Sequence, residues 1–495
     1  MFHYEPPGSS RREYRSHVSK EGSPMSPLSR LALSPTPFLT CACLIMVALA
    51  PAAPKENDTS PQAIYHKDRV HVWNRVHAAF FVRTGLDGRS YGEDRLEPLL
   101  WSDSKYLLEG KTADRAAAVL EEFLRDKGET LIDDPSKRAI LQRDLWLVSN
   151  WLAGKPDDDR KRLDPLLAQV IRRLALTPEQ IAKLPDNYAA TVASKAFADK
   201  FDAEKPERSY LPADMFETDG PWVCVGRAVG PTAPFHLLED GGNRFTNSAF
   251  LIFLKLPGGR DKTLEFLKTL AAFDKPLVLP NADEKTKRSL SHLPNPAMPQ
   301  WPKGTEVALV RRAMLIDSSR KVVVSPLTES VQLRAMSTDA PALTAETIGK
   351  ITGRKGTGGQ AFAEFQLRRA GLLGGKTRGL RDVSEDRDFK TGFSSHMFDE
   401  FEQPLDNDRP FPQRALPFAN NRASCVVCHS APGVYGFNSI QGFAFGLPGV
   451  VRNEDGNELK RHALAAMTVE KVEKAAVKWK EGQPGWVALR KLLPE

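Results

Sequence analysis

The stretch "TEVALVRRAMLIDSSRKVVVSPLTESVQLRAM", Thr305 to Met336, holds two runs rich in valine, leucine and isoleucine, bounded by Gly304 and Asp317. β-Branched runs between Gly, Pro, Asn and Asp are strand signals, because the branched side chains suit a pleated surface and the boundary residues suit turns. The same signal extends upstream through "PWVCVGRAV", "SAFLIFLKL" and "KPLVLP". Among these runs only "RDKTLEFLKTLAAF" has helical spacing, so residues 215–345 are expected to form a small, mainly antiparallel α+β domain. Cys224, in the first run, reads as a buried apolar residue.

Residues 60–205 read as a helical domain. "AIYHKDRVHVWNRVHAAFFVR" puts His66, Val70, Trp73, His77 and Phe81 on one helical stripe, and "TADRAAAVLEEFLRDKG" begins on a threonine suited to capping. In "LTPEQIAKL", Thr177 is placed to cap and Pro178 to occupy the first helical position. His66, His71 and His77 are not spaced four apart, so they read as packed or surface histidines and not as a metal site.

Residues 1–52 read as a leader. "LTCACLIMVALA", Leu39 to Ala50, is a twelve-residue apolar run after Arg30, followed by the polar, proline-containing exit "PAAPKENDTSPQ". That run is shorter than the about 20 residues of a membrane span and fits the apolar core of a signal peptide, with cleavage expected between Ala52 and Ala53. The expected location is extracytoplasmic, periplasmic or secreted; an uncleaved leader would instead tie the chain to a membrane. The leader holds five Lys/Arg and three Asp/Glu, so its removal lowers the formal net charge from +7 to +5. A charge that mild, without an aromatic-interleaved basic stripe, argues against a nucleic-acid partner.

Cleavage would leave Cys224, Cys425 and Cys428 as the only thiols, too few for a disulfide framework. The last two lie in "NRASCVVCHSAPGVYG", Asn421 to Gly436, with His429 adjacent. Composition alone gives C-x-x-C-H about once in a thousand such chains. A thioredoxin-like pair would follow a strand, whereas "RPFPQRALPFANN" has three prolines. Zinc would need a fourth ligand, and adjacent Cys428 and His429 bend awkwardly around one small ion. Haem fits better: Ser424 is placed to cap a turn that sets both thiols on one side for thioether bonds, with His429 next to supply the iron's proximal nitrogen.

"CVVCH" resembles the attachment motif of the c-type cytochromes at all three of its required positions. The resemblance covers the motif and little else of the chain. It implies one covalent haem c held by Cys425, Cys428 and His429, electron transfer, and a redox partner that is a protein or a small redox molecule. Small cytochromes take their sixth ligand from downstream of the motif, which puts Met467 first, with His462 beside it; His396, Met397 and Met298 are upstream alternatives. A six-coordinate iron suits a carrier, whereas an open position suits a peroxidase-like oxidoreductase or a ligand-binding sensor.

The glycine-rich, basic stretch 346–384 reads as a linker, and 385–495 as a mostly helical, loop-rich haem domain. In that setting Arg354, Arg378, Arg381 and Arg422 are candidate partners for haem propionates. "AGLLGGKT" ends like a phosphate-binding loop, but position 370 is alanine where the first glycine belongs, and the preceding "AFAEFQLRRA" reads as helix. The whole is therefore expected to be a multidomain α+β protein: helical bundle, antiparallel α+β domain, then haem domain.

Overall fold

A computed structural model describes residues 63–84, 90, 91, 94, 110–152, 158–227, 230–233, 245–273, 277, 278, 293, 294, 297, 299–339, 359–374, 379–383 and 465–494. The chain is α+β, built on one antiparallel seven-stranded sheet. Its strands are β3 (Val223–Gly226), β4 (Ser248–Lys255), β7 (Glu306–Ile316), β8 (Val322–Met336), β9 (Gln360–Leu367), β10 (Leu380–Asp382) and β11 (Ala465–Ala466). Their order is β10-β9-β8-β7-β4-β3-β11. Two short pairs stand apart, β1 (Arg83–Thr84) with β2 (Ser90–Tyr91), and β5 (Leu277–Val278) with β6 (Leu293–Pro294).

The two runs of Thr305 to Met336 form the longest ladder, β7 against β8. Its register slips between Arg311 and Met314, opposite the segment that contains Pro326. Proline has no N–H to give the ladder, so a bulge is the cheapest way to carry one inside a long strand.

Among the described residues six α-helices precede the sheet: α1 (Val72–Phe81), α2 (Gly110–Arg125), α3 (Pro135–Leu152), α4 (Asp158–Leu174), α5 (Pro178–Ala182) and α6 (Asn187–Ala193). The stripe expected on α1 is buried at Trp73, His77 and Phe81, but Val70 precedes the helix and is exposed. At α5 the Thr177 hydroxyl accepts from Gln180 N, as the sequence suggested, and Gln180 Oε1 accepts from Thr177 N in return. Helix α2 begins at Gly110, so Thr112 lies inside it and not at its cap.

Buried residues of these helices and of one sheet face form a single apolar cluster, running from Trp73, Phe123 and Trp146 through Phe253, Val310 and Phe365. The opposite face is covered over β3, β4 and β11 by α7 (Gly259–Ala272), with Leu267 packed among Val225, Leu254 and Trp301. Helices α3, α5 and α6 rest on β7 and β8, so the helical region and the sheet share one core instead of forming two separate ones.

Two stretches differ from their sequence reading. "AFAEFQLRRA" contains strand β9, not a helix, and only Arg369–Gly374 beyond it is helical (α8). Ala363, Phe365 and Leu367 alternate inward there, a period of two that a helix would scatter around its axis. Part of the presumed linker is thus sheet. At the other end, α9 (Val469–Glu481) and α10 (Pro484–Leu492), grouped by sequence with the haem domain, return to the main core through Val472, Ala476, Trp486 and Leu489. Among the described residues no helix is long and apolar enough to cross a membrane.

Candidate functional site

Helix α3 interrupts an apolar run, "AILQRDLWLV", with the adjacent pair Arg143 and Asp144, both buried. Arg143 Nε donates to Glu329 Oε1 on β8 at 2.7 Å, and its Nη1 donates to Asp144 Oδ1 at 3.0 Å. Arg369, at the start of α8, grips Asp144 Oδ2 from Nε at 3.1 Å and from Nη2 at 2.7 Å. The Ser248 hydroxyl on β4 donates to Glu329 Oε2, and Arg311 Nε lies 3.9 Å from that oxygen. Charge thus alternates through the core from Arg369 to Glu329, joining α3, α8, β4 and β8.

Burying ions is costly unless each is paired, and here pairing is complete for both carboxylates. Burial opposes the charge on Arg143, but Glu329 and Asp144 together raise its pKa further. Two uncharged neighbours respond to the same field. Burial holds the His77 imidazole well below its usual pKa, and the Arg369 cation adds to the effect. Burial, then the charge of Asp144, pushes the Tyr65 hydroxyl upward. His77 stacks on Phe81 with centroids 5.7 Å apart, Arg369 sits over the Phe81 ring at 5.2 Å, and His77 Nε2 has no hydrogen-bond partner. Buried to this degree, the cluster holds fixed charge and locks the helical layer to the sheet.

The candidate haem ligands divide by position. Cys425, Cys428, His429, His462, His396, Met397 and Met298 lie outside the described residues, as do Arg354, Arg378 and Arg422. Met467 is described, and it precedes helix α9 instead of lying on it. Its N–H donates to Cys224 O at 2.9 Å, and the Thr468 side chain next to it caps α9 through Lys471 N at 3.3 Å. The Met467 thioether rests against Gly226: a Cβ added there would come within 2.7 Å of its sulfur and 2.9 Å of Val472 Cγ2. Arg381 is exposed on edge strand β10.

His66, His71 and His77 serve as packing and capping groups. His66 and His71 stack at 4.2 Å, and each Nδ1 accepts from the backbone two residues on, at Asp68 and Trp73. Among the described residues no three His, Cys, Asp or Glu side chains converge as metal ligands. Cys224 is buried on β3, and burial, helped by Glu473, pushes its thiol up to about 12.

No model of a known protein family matches the chain, and neither a curated protein nor a solved structure matches it.

Proposed function

We propose that this chain is an exported monohaem c-type cytochrome that transfers electrons through a covalently attached haem. The carrying observation is "CVVCH": two thiols three positions apart with an imidazole next to the second, a donor set that fits thioether attachment and a proximal iron ligand. Cys425 and Cys428 would hold the macrocycle and His429 the iron. The sixth ligand is to be drawn from Met467, His462, Met397 or Met298. When bound, the haem supplies a one-electron couple; the protein's part is to fix its ligands and set the charge and polarity around it.

The described fold supports a refinement of the domain plan. The haem-binding part would then be narrower than 385–495 and end before β11, because α9 and α10 belong to the main core. The leader, Met1 to Ala52, would direct the chain across the cytoplasmic membrane, where haem c is attached, and the partner would be a redox protein or a small redox molecule.

Production in a host with cytochrome c maturation, followed by acid–acetone extraction of the denatured protein, tests the reading. Haem that stays with the polypeptide, with an intact mass raised by one haem, is the expected result; haem released into acetone overturns it. Fast binding of carbon monoxide to the ferrous protein, or turnover of hydrogen peroxide with an electron donor, would shift the assignment to sensor or peroxidase.

A further inference from the structure

Residues 63–71, just ahead of α1, form a strap that hangs on side chains. Among the described residues no main-chain hydrogen bond joins 63–70 to another element; the bond from His71 N to Asp68 O is internal to the strap. The Asn74 carboxamide holds it instead. Its Oδ1 accepts from Tyr65 N at 2.9 Å and His66 N at 3.3 Å, and its Nδ2 donates to His66 O and Asp68 O, each at 2.7 Å. Lys137 Nζ donates to Tyr65 O at 2.7 Å, and Arg75 Nε to Val70 O at 2.9 Å. The Tyr65 side chain goes inward, fully buried and edge-on to His77 with centroids 5.6 Å apart, whereas Lys67, Asp68, Arg69 and Val70 are exposed. A segment held by one ring and a few side-chain bonds opens at lower cost than the sheet does.

The histidines of this region are placed as neutral imidazoles. His66 Nδ1 accepts from Asp68 N at 3.1 Å, and Nδ1 of His71, the N-cap of α1, accepts from Trp73 N at 3.3 Å. A protonated imidazole carries hydrogen on both nitrogens and has no acceptor left for such a bond. The two rings stack at 4.2 Å, where two cations would repel. Arg75 and Lys137, which hold the strap, add positive charge beside His71, with Asp68 opposing them; Glu122 on α2 is paired with Arg75. Beneath the strap, His77 Nε2 has no hydrogen-bond partner and the Arg369 cation of α8 acts on the ring. The Asp144 carboxylate of α3 is already held by Arg143 and Arg369, and Glu329 of β8 by Arg143.

We propose that residues 63–71 are a histidine latch: proton uptake by His71 and His77 releases the strap and withdraws Tyr65 from the ionic cluster, uncovering His77, Arg369 and Asp144 while the sheet stays folded. In the closed form both imidazoles are held below their ordinary pKa of 6.5, His71 by burial and then His66, His77 by burial and then Arg369. The open form therefore binds more protons. Closure is fully favoured above pH 6.5 and weakens as pH falls through 6.5, by at most about tenfold per unit for each histidine. Histidine is the side chain suited to such a switch, because its ordinary titration lies between pH 5 and 8. The latch holds whether or not the chain carries haem.

Amide exchange of the full-length protein at pH 7.5 and pH 5.5, corrected for intrinsic rates, supplies the test. Protection of 63–71 is expected to fall by about tenfold or more at the lower pH, with β4 losing less. Unchanged protection of 63–71, or an equal loss in β4 that marks unfolding of the whole, overturns the proposal. His71→Asn keeps an acceptor for Trp73 N and removes a titrating ring, so the fall in 63–71 is expected to shrink; an unaltered fall counts against the latch. Asn74→Ala removes the main support and is expected to expose 63–71 at both pH values, and retained protection there would also overturn the proposal. Should either variant fail to fold, the comparison of 63–71 with β4 in the parent protein decides.

Discussion

Arg143 and Glu329, 186 positions apart in sequence, meet in the core with Arg143 Nε and Nη2 at 2.7 and 2.6 Å from the same carboxylate oxygen. The pair fastens the helical layer to the longest strand of the sheet, and neither side chain is more than 3% exposed. Removing one partner leaves an uncompensated buried ion. Arg143→Met or Glu329→Gln is expected to lower unfolding stability by about 3–5 kcal/mol, whereas the double variant should cost less than the sum because it leaves no orphaned charge between them. Urea titrations of the four proteins check this.

The same cluster sets a pH dependence through His77. Its pKa in the folded protein lies well below 6.5, so the native imidazole stays neutral while the unfolded one takes up a proton as pH falls through 6.5. Unfolded chains then bind more protons than native ones, and stability drops with falling pH by at most about 1.4 kcal/mol per unit from this group. Above 6.5 the contribution is flat. His77→Phe is expected to flatten the difference between pH 7 and pH 5 relative to the parent protein, measured by denaturant midpoint. Equal slopes for the two proteins would remove His77 from the account.

Gly226 and Met467 form a second lock, at the edge where the chain returns to the sheet. Gly226→Ala puts a methyl 2.7 Å from the Met467 sulfur, an overlap expected to cost about 1–3 kcal/mol. Met467→Ala should relieve part of that cost in the double variant, giving a coupling of about 0.5–3 kcal/mol. The haem absorption spectrum of Met467→Ala alone separates packing from ligation: loss of a sulfur-to-iron band would identify Met467 as the sixth ligand, and an unchanged spectrum would remove it from the candidates.

Much of this fold could be read from local pattern. The runs at Val223, Ser248, Glu306 and Val322 became strands because β-branched residues between turn formers leave the backbone few alternatives. The Thr177 cap was legible for a similar reason: the N–H it accepts from lies only three residues on. Long-range relationships were not legible. Strand β9 reads as helix because Ala, Glu, Gln and Leu favour helices, and the packing of Ala363, Phe365 and Leu367 overrides that preference. The return of Trp486 and Leu489 to the core beside Trp146 likewise depends on contacts more than 300 residues apart in sequence. Of the ionic cluster only one trace was local, a charged Arg143–Asp144 pair inside an apolar helix; its partners Glu329 and Arg369 lie on other elements. The proposed haem motif is legible because its three residues, Cys425, Cys428 and His429, fall within five positions of the chain.

Cys224 offers a count that bears on both the fold and the cofactor. Burial pushes its thiol up to about 12, so at pH 8 only about one in ten thousand molecules carries the thiolate that reacts with alkylating reagents. The native protein is therefore expected to resist alkylation at Cys224, and unfolding should return the thiol to ordinary reactivity. If Cys425 and Cys428 are spent in thioethers, the denatured, leader-free holoprotein should present one titratable thiol, against three in chain prepared without haem. Rapid alkylation of the folded protein at Cys224 would contradict its burial on β3. Three reactive thiols in a denatured sample that still contains haem would mean that the haem is held without covalent bonds.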